Sequence, residues 1–297
     1  MLRASVIIPT RDGAGPLGTC LGALVPAFPT DAETIIVSDG DATDLEPLLR
    51  DFVEPLRLRS IRVPHGGPAW ARNRGLEVAR GEIAVFTDDD CRPRPGWLEA
   101  LLARASLSPP CAAGGITFNG IASNPYADAA QVVLDLVARH ERACCGEVRF
   151  FPANNCAFPV DVLRQLGGFD ESFRTAEDRD LLRRWRQAGH ATAIATDAVV
   201  DHEADPDLIG FVRKFYMYGR GAARFHATSR GGSYGDSVSF HLRVPALVAP
   251  EVRQRGPRRG ASLVGLLALW EVANLAGFLA ETTKRVVEGA TSNGRRS

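Results

Sequence analysis

Four apolar runs, Ser5 to Pro9, Glu33 to Ser38, Arg59 to Val63 and Ile83 to Thr87, alternate with helical periodicity at Leu17 to Val25, Leu45 to Phe52, Pro68 to Ala79 and Gly96 to Ser106. The runs have the length of strands, and apolar spacings of three and four between them mark helices. Strict alternation of the two predicts a parallel sheet with helices on both faces, a nucleotide-binding arrangement. Polar residues gather where the strands end: Pro9-Thr10-Arg11-Asp12 after the first, Asp39-Gly40-Asp41 after the second, and Asp88-Asp89-Asp90 after the fourth. In an open α/β sheet these ends face one crevice, where ligands bind.

From about Ala112 the alternation loosens. A strand is expected at Ala112 to Phe118, then a helix opening at Asn124-Pro125 and running to about Arg142, since Asn caps well and Pro suits a first turn. Asn154 to Phe158 follows, then a helix from Val160 that ends at Gly167-Gly168, and another from near Glu177 to Gly189. A further strand precedes Val199-Val200-Asp201-His202.

With 297 residues, 45% hydrophobic and 24% charged, the chain can bury a sizeable core in one large domain or two small ones. Lys plus Arg equals Asp plus Glu at 35 each, so no overall field draws it to nucleic acid or to an anionic surface, and any basic patch must be local. Cys20, Cys91, Cys111, Cys144, Cys145 and Cys156 form no C-x-x-C pair, and no signal-peptide pattern precedes the first strand. They are expected to be reduced, packing thiols of a cytoplasmic protein.

Asp88-Asp89-Asp90 would deliver carboxylates to the sheet edge. Neighbouring carboxylates repel, and they persist most easily around a cation; hard oxygen ligands suit Mg2+ or Mn2+, which would in turn hold a diphosphate. A solvated turn with helix-capping aspartates before Pro93 to Trp97 accounts for the triplet equally well. Glu177-Asp178 opens a helix, where carboxylates can also serve simply to complement the dipole.

Six segments in order carry a resemblance. Ser5-Val6-Ile7-Ile8-Pro9-Thr10, Val37-Ser38-Asp39-Gly40, Gly67-Pro68-Ala69-Trp70-Ala71-Arg72-Asn73-Arg74-Gly75, Phe86-Thr87-Asp88-Asp89-Asp90, Gly167-Gly168-Phe169-Asp170-Glu171 and Glu177-Asp178 together resemble the signature of family-two glycosyltransferases over about residues 5 to 202. The resemblance implies a GT-A, Rossmann-like fold: a mostly parallel central sheet with helices on both faces, here followed by a helical C-terminal extension. It further implies a UDP-, GDP- or dTDP-sugar donor, Mn2+ or Mg2+, and inversion at the anomeric carbon. Residues 1–111 would form the nucleotide-sugar-binding half, 112–204 the acceptor and catalytic half of the same domain, and 205–297 the extension.

By position in the motifs, the resemblance puts Pro9, Thr10, Arg11 and Asp39 at the nucleoside, with the Asp39 carboxylate accepting from the base edge. Arg72, with Asn73 beside it, would approach the phosphates. Asp90 would contact the metal and Asp88 the metal or the ribose, with Asp89 as the spacer on the nucleotide-sugar side. His202 resembles the histidine that completes the metal site in part of the family, or else is structural. Asp178, next to Glu177, matches the catalytic base. Inversion is one in-line displacement, so one carboxylate can accept the hydroxyl proton while the cation takes the leaving charge.

The chain also departs from the family pattern. Ser38 stands where an aspartate is common, leaving Asp39 alone for the nucleoside. Leu181-Leu182-Arg183-Arg184-Trp185 keeps the Arg-Trp of processive synthases without their Gln, so Arg184 and Trp185 are expected to serve helix packing only, and transfer of a single sugar is expected. A nucleotide-sugar pyrophosphorylase and a noncatalytic sugar-binding module are the other function classes. Pro9-Thr10-Arg11-Asp12 lacks the glycine-rich loop of the first, and the second would not need both acidic clusters.

Past His202 the pattern alone speaks. Phe211, Phe215, Tyr218, Ala222 and Phe225 recur at helical steps, with Arg213, Arg220 and Arg224 on another stripe and Gly219 and Gly221 weakening continuity. The helix either packs on the core or presents arginines to phosphates at an acceptor or a membrane surface. Arg253, Arg255, Arg258 and Arg259 then precede the apolar stretch 261–280, nearly long enough to span a bilayer. Glu271, Asn274 and Glu281 share a face, and a charge near the centre of a span costs about 2.5 to 3.5 kcal/mol. The stretch is therefore expected to lie on a membrane as a peripheral helix, or against a second copy of the chain, rather than to span.

Overall fold

The computed structural model describes residues 2–11, 13–40, 43–145, 150–228 and 234–293, without the side chains of 106–107, 142–145, 234–237 and 289–293. Asp12, Asp41 and the thiols of Cys144 and Cys145 lie outside the described residues. In chain order the elements begin β1 (Leu2–Thr10), α1 (Ala14–Leu24), β2 (Ala32–Asp39), α2 (Glu46–Leu49), β3 (Leu58–Val63), α3 (Pro68–Val78), β4 (Gly81–Thr87), β5 (Cys91–Pro93), α4 (Trp97–Arg104) and β6 (Ser106–Leu107). They continue with β7 (Pro110–Asn119), α5 (Pro125–Cys145), β8 (Asn155–Pro159), α6 (Val160–Gln165), α7 (Glu177–Gln187), β9 (Ala191–His202), α8 (Leu208–Thr228) and α9 (Tyr234–Asn293).

One nine-stranded sheet runs β3-β2-β1-β4-β8-β7-β9-β5, with β6 beside β7. The first four strands are parallel, as their alternation with helices predicts. Beyond β4 the sheet is mixed: β8 is antiparallel to both β4 and β7, β9 is parallel to β7, and β5 is antiparallel to β9. Side chains alternate faces along a strand, so Val6 and Ile8 enter the core under α1 and α4 while Ile7 enters the one under α3, α6 and α7. A strand buried on both faces must read as a continuous apolar run, which is why β1 was legible. The stretch expected as a helix over Leu45 to Phe52 is one α turn tightened into a 3-10 turn at Arg50–Phe52.

The chain divides into two compact units: residues 1–120, 149–172 and 177–204 in the first, and 121–148, 173–176 and 205–297 in the second. The first holds the whole sheet. The second contains α5, α8 and α9, so α5 groups with the C-terminal helices rather than with the 112–204 stretch in which its sequence lies. Asn124 caps α5 as expected, its Oδ1 accepting from Tyr126 N at 2.7 Å and Ala127 N at 3.0 Å.

In the core of the second unit, Phe211, Phe215, Leu136, Leu267 and Trp270 are buried together. α8 is continuous through Gly219 and Gly221, against the weakening expected from glycine. Their role is close approach: a Cβ on Gly219 would fall 1.9 Å from Asn274 O, and one on Gly277 would fall 1.9 Å from Tyr216 O. α9 breaks at Gly256, whose φ of 74° suits glycine, and Pro257 opens its second arm. The polar residues of that arm turn inward. Glu281 is buried and pairs with Arg220 at 2.7 Å, and Glu271 pairs with His241 at 2.8 Å. Arg220 is thus spent on Glu281, and Arg224 lies 5.3 Å over Phe173, so the predicted arginine stripe is largely engaged within its own unit.

Candidate active site

The carboxyl ends of β1, β2 and β4 lie at one sheet edge, with Thr10 in register with Ser38 and Ile7 with Phe86. There the aspartate triplet fans out to three different partners. Asp88 Oδ1 accepts from Arg72 at 2.8 Å, Asp89 Oδ2 from Thr10 Oγ1 at 2.5 Å, and Asp90 Oδ2 lies 3.2 Å from His202 Nε2. Asp89 also faces the start of α1, where a Cβ on Gly13 would fall 2.3 Å from its Oδ2. Burial, Asp90 and Asp88 push the Asp89 carboxyl up to about 7 against the Thr10 hydrogen bond.

Arg72 joins the two acidic clusters. It rises from α3, buried, and donates to Asp88 and to Glu177 Oε1, each at 2.8 Å. Burial works against its charge, but Asp88 and Glu177 outweigh that and raise its pKa above the ordinary value. Its Nε has no partner among the described residues. Glu177 follows Ala176, whose φ of 69° turns the chain into α7, a conformation uncommon outside glycine and one that no sequence signal announces.

Asp178 is half-buried, and its Oδ1 accepts from Arg179 N at 2.8 Å. Burial first and Glu177 second raise its proton affinity, opposed by that backbone hydrogen bond and by Arg72. The sign for stability follows. A carboxyl raised on folding is neutral to stability while protonated in both states, and it costs stability as pH climbs from the unfolded value through the folded one. Asp178→Asn is therefore expected to raise the melting temperature more at about pH 8 than at about pH 5. An equal gain at both would contradict the raised proton affinity.

Asp39 takes a different set of partners. Its oxygens accept from Gly66 N at 2.7 Å and Gly67 N at 2.9 Å, and it pairs with His65 Nδ1 at 3.0 Å. His65 Nε2 lies 3.1 Å from an Arg11 guanidinium nitrogen; the arginine can only donate, so Nε2 accepts and Nδ1 carries the proton. In the sequence His65 is a lone histidine before two glycines and carries no pattern that marks a site. Asn73 is turned away from the edge. Its amide donates to Phe169 O at 2.8 Å and its Oδ1 accepts from Phe169 N at 2.9 Å, stitching the loop before Glu171. Arg184 and Trp185 pack: Arg184 donates to Leu166 O and Gly168 O, and the fully buried Trp185 donates to Ala191 O.

Among the described residues, Asp90, Cys91 and His202 offer ligand atoms within 4.8 Å of one another. A carboxylate and an imidazole are suitable donors for Mn2+, and open positions would remain for phosphate oxygens. Burial and the Asp88 and Asp90 carboxylates hold the Cys91 thiol well above its usual range. Cys20, Cys91, Cys111 and Cys156 are free thiols. A cavity of about 270 Å³ lined by Arg3, Glu82 and Glu99 at the other end of the strands shares no residue with this cluster.

Among curated proteins, the chain is 31% identical over 225 residues to the pre-mycofactocin glycosyltransferase of Mycobacterium tuberculosis, covering 74% of this chain and 46% of that protein. It thus spans about half the length of that relative. It is 26% identical over 226 residues to glycosyltransferase AglE of Haloferax volcanii, covering 73% of this chain and 72% of that one. Among solved structures, the mannosyltransferase PcManGT from Pyrobaculum calidifontis, in complex with GDP-Man and Mn2+, superposes with a TM-score of 0.67 at 20% identity, covering 96% of this chain and 87% of that one. At such identity the likeness is one of fold, which is the GT-A arrangement described above. Residues 5–167, more than half of the chain and including the strand ends and Arg72, match the family model of glycosyl transferase family 2, and the chain belongs to that family.

Proposed function

We propose that this chain transfers a single sugar from a nucleotide-sugar donor to an acceptor hydroxyl with inversion. The observation that carries the reading is Arg72, whose two 2.8 Å ion pairs hold the strand-end cluster and the α7 cluster together. Pro9, Thr10, Arg11 and Asp39, with His65, form the edge for the nucleoside; GDP-mannose is the first donor to test, followed by UDP- and dTDP-sugars. Asp90 and His202, with Asp88 nearby in the chain, are the residues that would hold Mn2+ or Mg2+. When bound, that ion supplies Lewis-acid stabilisation of the leaving diphosphate.

Asp178 is the base. Its neighbour Glu177 is buried and committed to Arg72, whereas Asp178 keeps one backbone hydrogen bond and a raised proton affinity. It accepts the proton of the acceptor hydroxyl as that oxygen attacks the anomeric carbon from the face opposite the diphosphate. Donor binding and turnover are expected to fall together in chelator, and in Asp90→Ala with its fold retained. Equal donor affinity and full turnover in EDTA would remove the cation from the reading.

Peripheral attachment to a cytoplasmic membrane face is part of the same reading. Within Val238–Glu288 the most apolar window has a mean hydropathy of 1.8, and 28% of it is buried by the chain, which leaves an apolar surface that lipid can cover. Val264, Val272, Leu275, Leu279 and Val286 are 49–67% exposed at helical steps. Arginines 253, 258 and 259 precede this face and Lys284 and Arg285 end it, which suits anionic headgroups better than a second copy carrying the same charges.

A further inference from the structure

Cys91 stands opposite His202 in the antiparallel β5–β9 ladder, and directly opposed residues put their side chains on one face. Its sulfur lies 4.0 Å from Asp90 Oδ1, on the carboxylate whose other oxygen meets His202. Oxygen, nitrogen and sulfur donors thus converge within 4.8 Å. We propose that Cys91 is a third protein ligand for thiophilic divalent cations, making this a mixed O, N, S site that prefers Zn2+ or Co2+ to Mg2+.

The chemistry is specific to the sulfur. Mg2+ demands near-octahedral oxygen ligation and gains nothing from a thiol, whereas Zn2+ and Co2+ bind thiolate well. Metal–ligand lengths of about 2.0 to 2.3 Å put tetrahedral donors roughly 3.4 Å apart, so donors up to 4.8 Å apart need close by about 1.4 Å at most. Burial and the Asp88 and Asp90 carboxylates keep the free thiol protonated, so the cation must displace its proton: the S–H bond breaks, the sulfur–metal bond forms, and the proton leaves to solvent. Three protein ligands leave one position open for a water or a phosphate oxygen. The proposal rests on the cation reading above and goes beyond it in adding the thiol and the resulting selectivity.

Full-length protein, stripped of metal, is titrated with Co2+ and read by absorption, with Mn2+ as competitor. A sulfur-to-cobalt charge-transfer band that is present in the parent and in Cys20→Ala but lost in Cys91→Ser is the expected result. In Cys91→Ser the Zn2+-over-Mn2+ affinity ratio should fall by at least about tenfold, the scale on which even outer-shell partners of metal ligands act. Because buried substitutions can disturb folding, X-ray absorption of the Zn2+-loaded parent supplies an independent count, with one sulfur expected at about 2.3 Å. Co2+ that binds and yields to Mn2+ without a charge-transfer band, or zinc without a sulfur neighbour, overturns the thiol ligand and leaves the cation reading standing. No Co2+ binding at all overturns both.

Discussion

Asp178→Asn should leave donor affinity near the parent value and lower sugar transfer by about 10² to 10⁴, the range for loss of a general base. Asn keeps the shape and can still accept from Arg179 N, so the change removes proton affinity and little else. Calorimetry with donor and a product assay separate the two effects. Transfer at near the parent rate would send the proton elsewhere. Glu177 is the neighbouring carboxylate, but its replacement carries a different signature: Glu177→Gln strips a charge from the Arg72 bridge, so donor binding and stability should fall along with turnover.

Val272→Asp, Leu275→Asp and Leu279→Asp combined should release the full-length protein from anionic vesicles while leaving its fold intact. All three side chains are more than half exposed and none belongs to the buried core of the second unit, so little packing is lost. Each apolar side chain withdrawn from lipid costs about 1.5 to 3 kcal/mol, so three come to about 5 kcal/mol or more, over a thousandfold in partitioning. High salt should strip the parent in part, because its flanking arginines act electrostatically. A parent that ignores anionic vesicles, or a triple variant that stays on them, would refute the lipid-facing assignment. Self-association of the parent that the triple variant loses would give the face to a second copy instead.

Local chemistry determined much of this protein from sequence alone. Strands buried on both faces must be continuous apolar runs, so β1 to β4 and the helices between them stood out, and the cap at Asn124 acts on its own next turn. The strand-end position of the triplet was legible for the same reason. Which partner each carboxylate takes was not, because Arg72 reaches Glu177 across 105 residues of chain and Cys91 meets His202 only through a three-residue strand. The first arm of α9 was hidden by Pro245 and Pro250, which argue against helix locally and are carried by packing in the second unit. The orientation of the second arm was also a tertiary decision. Sequence showed that Glu271 and Glu281 share a face, but whether that face meets water or protein depended on where His241 and Arg220 stood. With those ion pairs made inside the unit, the apolar stripe is left facing out.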